Sequence, residues 1–164
     1  MKKILFLIIA LIVASLPSNA GSTPKMKVYL FLQTQCPCVY SHTETFGAMI
    51  KQYSHQVEFV AVFTEVKDTD QKIKNLLKDL GWKISYIKDS QHQLVKRMQP
   101  KLSTDCVFVD ASGKTLYNGA IDDGPANMGT VKHFYLKDAL DAYFRQMPIL
   151  VKSAPGRGCF LSAK

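Results

Sequence analysis

Several things are scarce in this sequence, and each scarcity excludes a class of protein. After the first twenty residues no apolar run approaches the roughly 20 residues that a membrane-spanning helix needs, so the later chain has no spanning segment of its own. Internal repeats and low-complexity blocks are missing, which removes solenoids and other repeat architectures. Cysteines number four in 164 residues. A disulfide scaffold spreads a denser set through a small loop-rich chain, whereas 47% apolar residues are enough for a core without staples. Arginine occurs only at Arg97, Arg145 and Arg157, and the net charge of +8 comes from lysines scattered through helical patterns. That scatter fits a solvated basic surface, with at most weak attraction to anionic membranes. With no binding motif in the chain, nucleic acid is not an expected partner.

What is present begins with a three-part leader. Lys2 and Lys3 precede an apolar run from Ile4 to Leu16, and Ser18-Asn19-Ala20 forms a small-residue exit. This is the pattern of a secretory signal peptide cleaved after Ala20. A retained anchor is the alternative, but the run falls short of a span. No cysteine follows directly to accept a lipid, so the expected product is a soluble periplasmic or secreted protein, a bacterial periplasm fitting best. Cleavage removes two lysines and lowers the formal charge to +6. Residues 21–164 are the right length for one domain and too short for two ordinary ones. We divide them into a domain over 21–147 and a cysteine-bearing tail over 148–164.

Strand and helix signals alternate along the mature chain. Met26 to Leu32 reads as a buried strand, apolar on both faces. Phe46, Met49, Ile50 and Tyr53 then recur at helical spacing, predicting a helix from about Pro37 to Tyr53. Val57 to Phe63 is a second buried strand, and Ile73, Leu76, Leu77 and Leu80 form a helical stripe ended by Gly81. A short strand near Ile84 to Ile87 and a helix from Ser90 to about Met98 follow. Cys106 to Val109 and Thr115 to Ile121 are strands joined by the turn-rich Asp110-Ala111-Ser112-Gly113. Leu136, Ala139, Leu140 and Tyr143 make the last helical stripe. The order predicts an α/β fold, a mixed central sheet with helices on both faces. Only Asp122 to Thr130 and the tail after Pro148 look irregular.

Chemistry concentrates at Cys36-Pro37-Cys38, where the first strand hands over to the first helix. Proline is favoured at the first helical position because its missing N–H would be unpaired there anyway. Cys36 then becomes the N-cap, its sulfur near free N–H groups and the positive end of the helix dipole. Such surroundings lower a thiol pKa from about 8.5 to about 3.5–7.5, which makes Cys36 the candidate nucleophile. Two ordinary small residues or two static disulfides would be the plain alternatives. In an oxidising compartment thiols must be protected, paired or used, and four cysteines allow three complete pairings that sequence cannot choose between. A direct Cys36–Cys38 bridge closes a small ring of demanding geometry, which favours an oxidant or an isomerase, or resolution of Cys36 by a distant cysteine.

The run Phe31-Leu32-Gln33-Thr34-Gln35-Cys36-Pro37-Cys38, with Ser41-His42 and Glu44 beyond it, resembles the active-site turn of exported thioredoxin-like redoxins in the alkyl hydroperoxide reductase and thiol-specific antioxidant superfamily. Val107-Phe108-Val109-Asp110, Gly113 and Tyr117-Asn118-Gly119-Ala120-Ile121-Asp122-Asp123 resemble that group's late hairpin and acidic loop. Leu136-Lys137-Asp138-Ala139-Leu140 and Gly158-Cys159 resemble its last helix and cysteine-bearing tail. The resemblance implies a thioredoxin-like fold and thiol/disulfide oxidoreductase or thiol peroxidase chemistry. It implies Cys36 as attacking or peroxidatic cysteine and Cys38 as its nearest resolving partner. Two departures stand out. Ser103-Thr104-Asp105 occupies the place of the usual cis-proline, with Thr104 for proline. The peroxidatic threonine and arginine also lack their usual positions, Thr34 lying two residues before Cys36, so disulfide exchange is favoured over peroxidase activity.

Other residues carry two readings each. Cys106 opens a hairpin strand expected to pass near the active turn, as a resolving thiol or a buried core thiol. Cys159 lies in a tail whose twelve steps from Met147 can extend about 40 Å, beyond the expected radius of gyration of about 14 Å. It can reach the active turn or be pinned as a staple. His42, four residues after Cys38, can stabilise a thiolate, transfer protons or ligate a metal, but a lone histidine of this kind more often faces solvent. Glu44 has the same standing. Asp122 and Asp123 read as a solvated loop, and Trp82 as core or rim. The expected partners are a disulfide-bearing protein or small thiol substrate and a redox partner protein, with no cofactor beyond a redox-active disulfide. A non-enzymatic copper carrier using Cys36, Cys38 and His42 is the alternative of a different class.

Overall fold

The computed structural model describes residues 25–124 and 131–161. The leader with its Ala20 exit, and most of the irregular loop after Asp122, lie outside the described residues. Strand β1 (Met26–Leu32) is the middle strand of a five-stranded sheet with the order β3-β2-β1-β4-β5. It pairs in parallel with β2 (Val57–Phe63), which pairs in parallel with β3 (Ser85–Lys88). On its other side β1 pairs antiparallel with β4 (Asp105–Val109), and β4 with β5 (Thr115–Ala120). The sheet is therefore mixed, as the element order predicts.

Period-two alternation sorts the side chains of β1 and β2 to two faces. Val28, Leu30, Leu32, Phe59, Ala61 and Phe63 pack with α1 (Thr43–Tyr53), α2 (Asp70–Asp79) and α4 (Tyr135–Phe144). Tyr29, Phe31, Val60 and Val62 pack with α3 (Gln93–Met98) and with Leu161 of the tail. Both faces are covered, which is why these strands read as continuous apolar runs. Each buried Leu, Val or Phe contributes about 1.5–3 kcal/mol, so the central strand anchors both layers.

The segment after β1 departs from the single helix expected over Pro37 to Tyr53. Pro37–His42 forms a 3-10 helix, and the α-helix starts at Thr43 after His42 adopts φ −106° and ψ 6°. A short 3-10 turn has poorer hydrogen-bond geometry than an α-helix, so the dipole offered to Cys36 is weaker than a continuous helix would give. The helix expected from Ser90 starts at Gln93 instead. Asp89 accepts hydrogen bonds from the N–H groups of Gln93, Leu94 and Val95 at 2.8, 2.9 and 3.0 Å and so fixes the start.

The tail is built into the sheet's edge. Asn118 and Ala120 of β5 donate N–H groups to the carbonyls of Lys152 and Ala154 at 3.0 and 3.1 Å. A Cβ on Gly119 would stand 2.4 Å from the Ala154 carbonyl oxygen, so glycine permits this approach. Further on, Leu161 donates to the Lys101 carbonyl at 3.1 Å, Ser103 donates to the Cys159 carbonyl at 2.8 Å, and Leu102 and Phe160 form an antiparallel bridge. No helix among the described residues is long and apolar enough to cross a membrane.

Candidate thiol site

Cys36 stands at the end of the central strand, in extended conformation (φ −88°, ψ 113°) with Pro37 opening the 3-10 turn. Its own N–H donates to the Gln33 carbonyl at 3.1 Å, which closes the turn. The loop before it is tethered from the β2–α2 connection. Thr34 donates both its N–H and its hydroxyl to the buried Asp68 carboxylate, and Gln33 donates from its side chain to Glu65 at 3.0 Å. Glutamine and threonine in this loop therefore set the position of the cysteine that follows.

Three thiols converge here. Cys36 is buried, Cys38 half-buried and Cys159 exposed, and all are free thiols. Burial pushes the Cys36 thiol up, but hydrogen bonds from the Cys159 side chain and N–H, the Cys38 N–H and the Ser103 hydroxyl outweigh it and hold the Cys36 pKa below its ordinary value. The sulfur makes no full side-chain cap of the 3-10 turn. Its thiolate is favoured chiefly by neighbours that strand pairing brings in. Cys38 is pushed up by burial, then by its hydrogen bond with Cys36 and by the Cys36 charge. Cys159 is pushed up to about 11, first by its hydrogen bond to Cys36, then by burial and by the charges of Cys36 and Cys38, with Lys67 acting the other way.

Cys106 is elsewhere. It lies opposite Leu30 in the β1–β4 register, fully buried in the helix-covered core, and its thiol donates to the Gly119 carbonyl at 3.2 Å. Burial drives its pKa well above the ordinary value, followed by the charges of Asp105 and Asp122. The core-thiol reading describes this geometry, and the resolving one does not.

His42 does not face solvent, and Asp122 is not in a solvated loop. His42 is 4% exposed and Asp122 3%, with His42 Nδ1 2.7 Å from Asp122 Oδ1. Thr45 donates its hydroxyl to the same carboxylate and Gly124 its N–H at 2.8 Å. Burial raises the Asp122 pKa, but these donors and the His42 charge outweigh it and hold the carboxyl low. The 3-10 turn is the reason: it rotates His42 off the face it would share with Cys38 on an α-helix and directs it inward. Asp123 is half-buried and accepts from Lys132 and His133 N–H groups at 2.7 and 2.9 Å. Among the described residues no trio of histidine, cysteine, aspartate and glutamate side chains is arranged to hold a metal ion.

Thr104, in the expected proline place, has φ +85°, a region that β-branched residues rarely enter. No described peptide bond is cis. Thr104 donates its N–H to the Phe31 carbonyl at 2.7 Å and its hydroxyl to the Arg157 carbonyl at 3.1 Å. These two bonds hold a conformation costing about 1–3 kcal/mol, and it leaves Ser103 beside Cys36.

No family model matches the sequence, and no curated protein does. Solved structures do match. A hypothetical protein from Sinorhizobium meliloti superposes with a TM-score of 0.75 at 20% identity, over 87% of this chain and 82% of that one. An uncharacterized conserved protein from Geobacillus kaustophilus gives 0.75 at 25% identity, over 86% and 78%. A thioredoxin-like protein solved in its oxidized form gives 0.58 at 17% identity, over 75% and 80%. The fold is thioredoxin-like. Within it, two site features escaped the sequence reading. In sequence Ser103 stands out only as part of a missing proline motif, and nothing there predicts the pairing of the tail with residues 101–103. Gly156 and Gly158 just before Cys159 were the available signal, since isolated glycines in an extended segment mark close backbone approach.

Proposed function

We propose that this protein is an exported thiol/disulfide oxidoreductase in which Cys36 attacks and either Cys38 or Cys159 resolves. The observation that carries the reading is the surroundings of Cys36: a buried sulfur at a strand-to-helix turn, held toward the thiolate by two other cysteines and Ser103. Cys36 thiolate attacks one sulfur of a substrate disulfide, and the departing sulfur takes a proton. A second cysteine attacks the mixed disulfide at Cys36, the second substrate sulfur leaves as a thiol, and the protein is left with an internal disulfide. A redox partner protein or small thiol reverses that change. A disulfide-bearing protein or small thiol is the substrate class, and the redox-active disulfide is the only prosthetic element required.

The peroxidase alternative is less well supported, because Thr34 gives its hydroxyl to Asp68 and the tail's Arg157 is exposed. The copper-carrier alternative needs His42, whose ring is turned to Asp122. Reduction of insulin disulfides by the mature chain, with dithiothreitol as electron donor, tests the proposal. Cys36→Ser is expected to bring the rate to the uncatalysed background. A Cys36→Ser protein that keeps the wild-type rate would overturn it.

A further inference from the structure

The oxidoreductase reading leaves two thiols to compete for the second step, and the backbone around Cys159 separates them. Cys159 reaches Cys36 on a tail segment held by backbone hydrogen bonds. Its carbonyl accepts from Ser103 at 2.8 Å, Leu161 donates to Lys101 at 3.1 Å, and Thr104 bonds the Arg157 carbonyl at 3.1 Å. The Gln33 side chain, which belongs to the active turn, also reaches the Phe160 carbonyl at 3.3 Å. Residues on both sides of Cys159 are thus tied to the two loops that flank Cys36. The Cys159 side chain and N–H are both bonded to the Cys36 sulfur.

We propose that Cys159, rather than Cys38, resolves the mixed disulfide on Cys36, so that the oxidised protein carries a Cys36–Cys159 bridge. In the mixed disulfide Cys36 Sγ is bonded to a substrate sulfur. Cys159 loses its proton to solvent and its sulfur attacks Cys36 Sγ. The Cys36–substrate bond breaks, and the substrate sulfur leaves as a thiolate that takes a proton. Over both steps the substrate disulfide gains two electrons and two protons, which Cys36 and Cys159 give up. An external dithiol of the redox partner restores both thiols.

The ionisation pattern agrees with this order. The first cause of the raised Cys159 pKa is its hydrogen bond to Cys36, and that influence disappears once Cys36 is in a disulfide. For Cys38 burial comes first, ahead of the hydrogen bond and charge of Cys36. Capture of Cys36 in a mixed disulfide thus removes the largest influence that raises the Cys159 pKa, and Lys67 favours its thiolate. Bridging Cys36 to Cys159 also avoids the small ring that Cys36–Cys38 would close.

The test uses the full mature chain, reduced and then mixed with glutathione disulfide, quenched at intervals by acid and alkylation and mapped by peptide mass. Wild type and Cys38→Ser are both expected to give a Cys36–Cys159 bridge. Cys159→Ser, an exposed substitution, is expected to accumulate glutathione on Cys36, with its release slowed at least tenfold. A Cys36–Cys38 bridge in the wild type, or wild-type resolution in Cys159→Ser, overturns the proposal and leaves the oxidoreductase reading standing. If Cys36 takes up neither glutathione nor a bridge in any variant, the oxidoreductase reading fails as well.

Discussion

Gly158→Ala perturbs the site without touching a thiol. A Cβ at this position would stand 2.0 Å from the Ser103 carbonyl oxygen and 3.1 Å from its carbon, and the nearest obstacle is backbone. Reaching even 3.0 Å, a separation below which real Cβ atoms are essentially never found, requires the tail to retreat by about 1 Å. The bond from Ser103 to the Cys159 carbonyl, 2.8 Å in the folded chain, then lengthens beyond hydrogen-bonding range. Losing it costs about 0.5–1.5 kcal/mol. Cys36 also loses the two donors of Cys159, and hydrogen bonds to charged groups are worth about 1.5–3 kcal/mol. Alkylation of reduced protein by iodoacetamide across pH, read on the Cys36 peptide, is the assay. Its midpoint is expected to move up, and below the midpoint alkylation falls on the order of tenfold. The lost backbone bond is expected to lower the thermal midpoint by only a few degrees, about 2–8 °C. An unchanged Cys36 profile would refute the claim that the tail controls Cys36 ionisation.

Asp122→Ala removes one partner of a buried pair and is expected to cost about 3–5 kcal/mol, measured by urea denaturation near neutral pH. The folded Asp122 carboxyl is held below its unfolded value. The stability it contributes is therefore present above about pH 4 and lost as pH falls through the folded pKa. Asp122→Asn should show a shallower acid loss than wild type, and an identical slope would show that this pair does not contribute. Cys106→Ala should keep insulin-reduction activity at the wild-type level while lowering stability by about 1–2 kcal/mol; lost activity with stability intact would return Cys106 to the site. Thr104→Pro, which supplies the residue that the resemblance expects, should destabilise by more than about 1 kcal/mol by thermal denaturation. Proline does not adopt φ +85° and has no N–H for Phe31.

The parts of the fold that read well from sequence are those whose signal is local and repeated. β1 and β2 were visible as apolar runs because both faces are covered, and α2 and α4 because their buried stripes recur at helical spacing. The hairpin was marked by Asp110 and Gly113, where Asp110 accepts N–H groups from Ser112 and Lys114 at 2.9 and 3.0 Å and Gly113 has φ +85°. His42 was misread because a helix-face argument assumes an α-helix, and the 3-10 turn places the same residue differently. Asp122 was misread because its partners lie 77 and 80 residues away in sequence, at Thr45 and His42. The sequence leaves the tail open between reaching the active turn and being a staple, and backbone hydrogen bonds to residues 101–103 hold it beside Cys36. Backbone pairing of this kind leaves no mark in side-chain periodicity.

Cys36 and Cys38 are neighbours in any conformation of the chain, but Cys36 and Cys159 meet only after the sheet has formed and residues 101–103 have received the tail. A contact of such long sequence separation carries a large loop-closure cost in the unfolded ensemble. Reactivity that depends on Cys159 is thus conditional on completed tertiary structure. A chain still emerging or only partly folded presents the Cys36-Pro37-Cys38 turn without the neighbours that favour its thiolate.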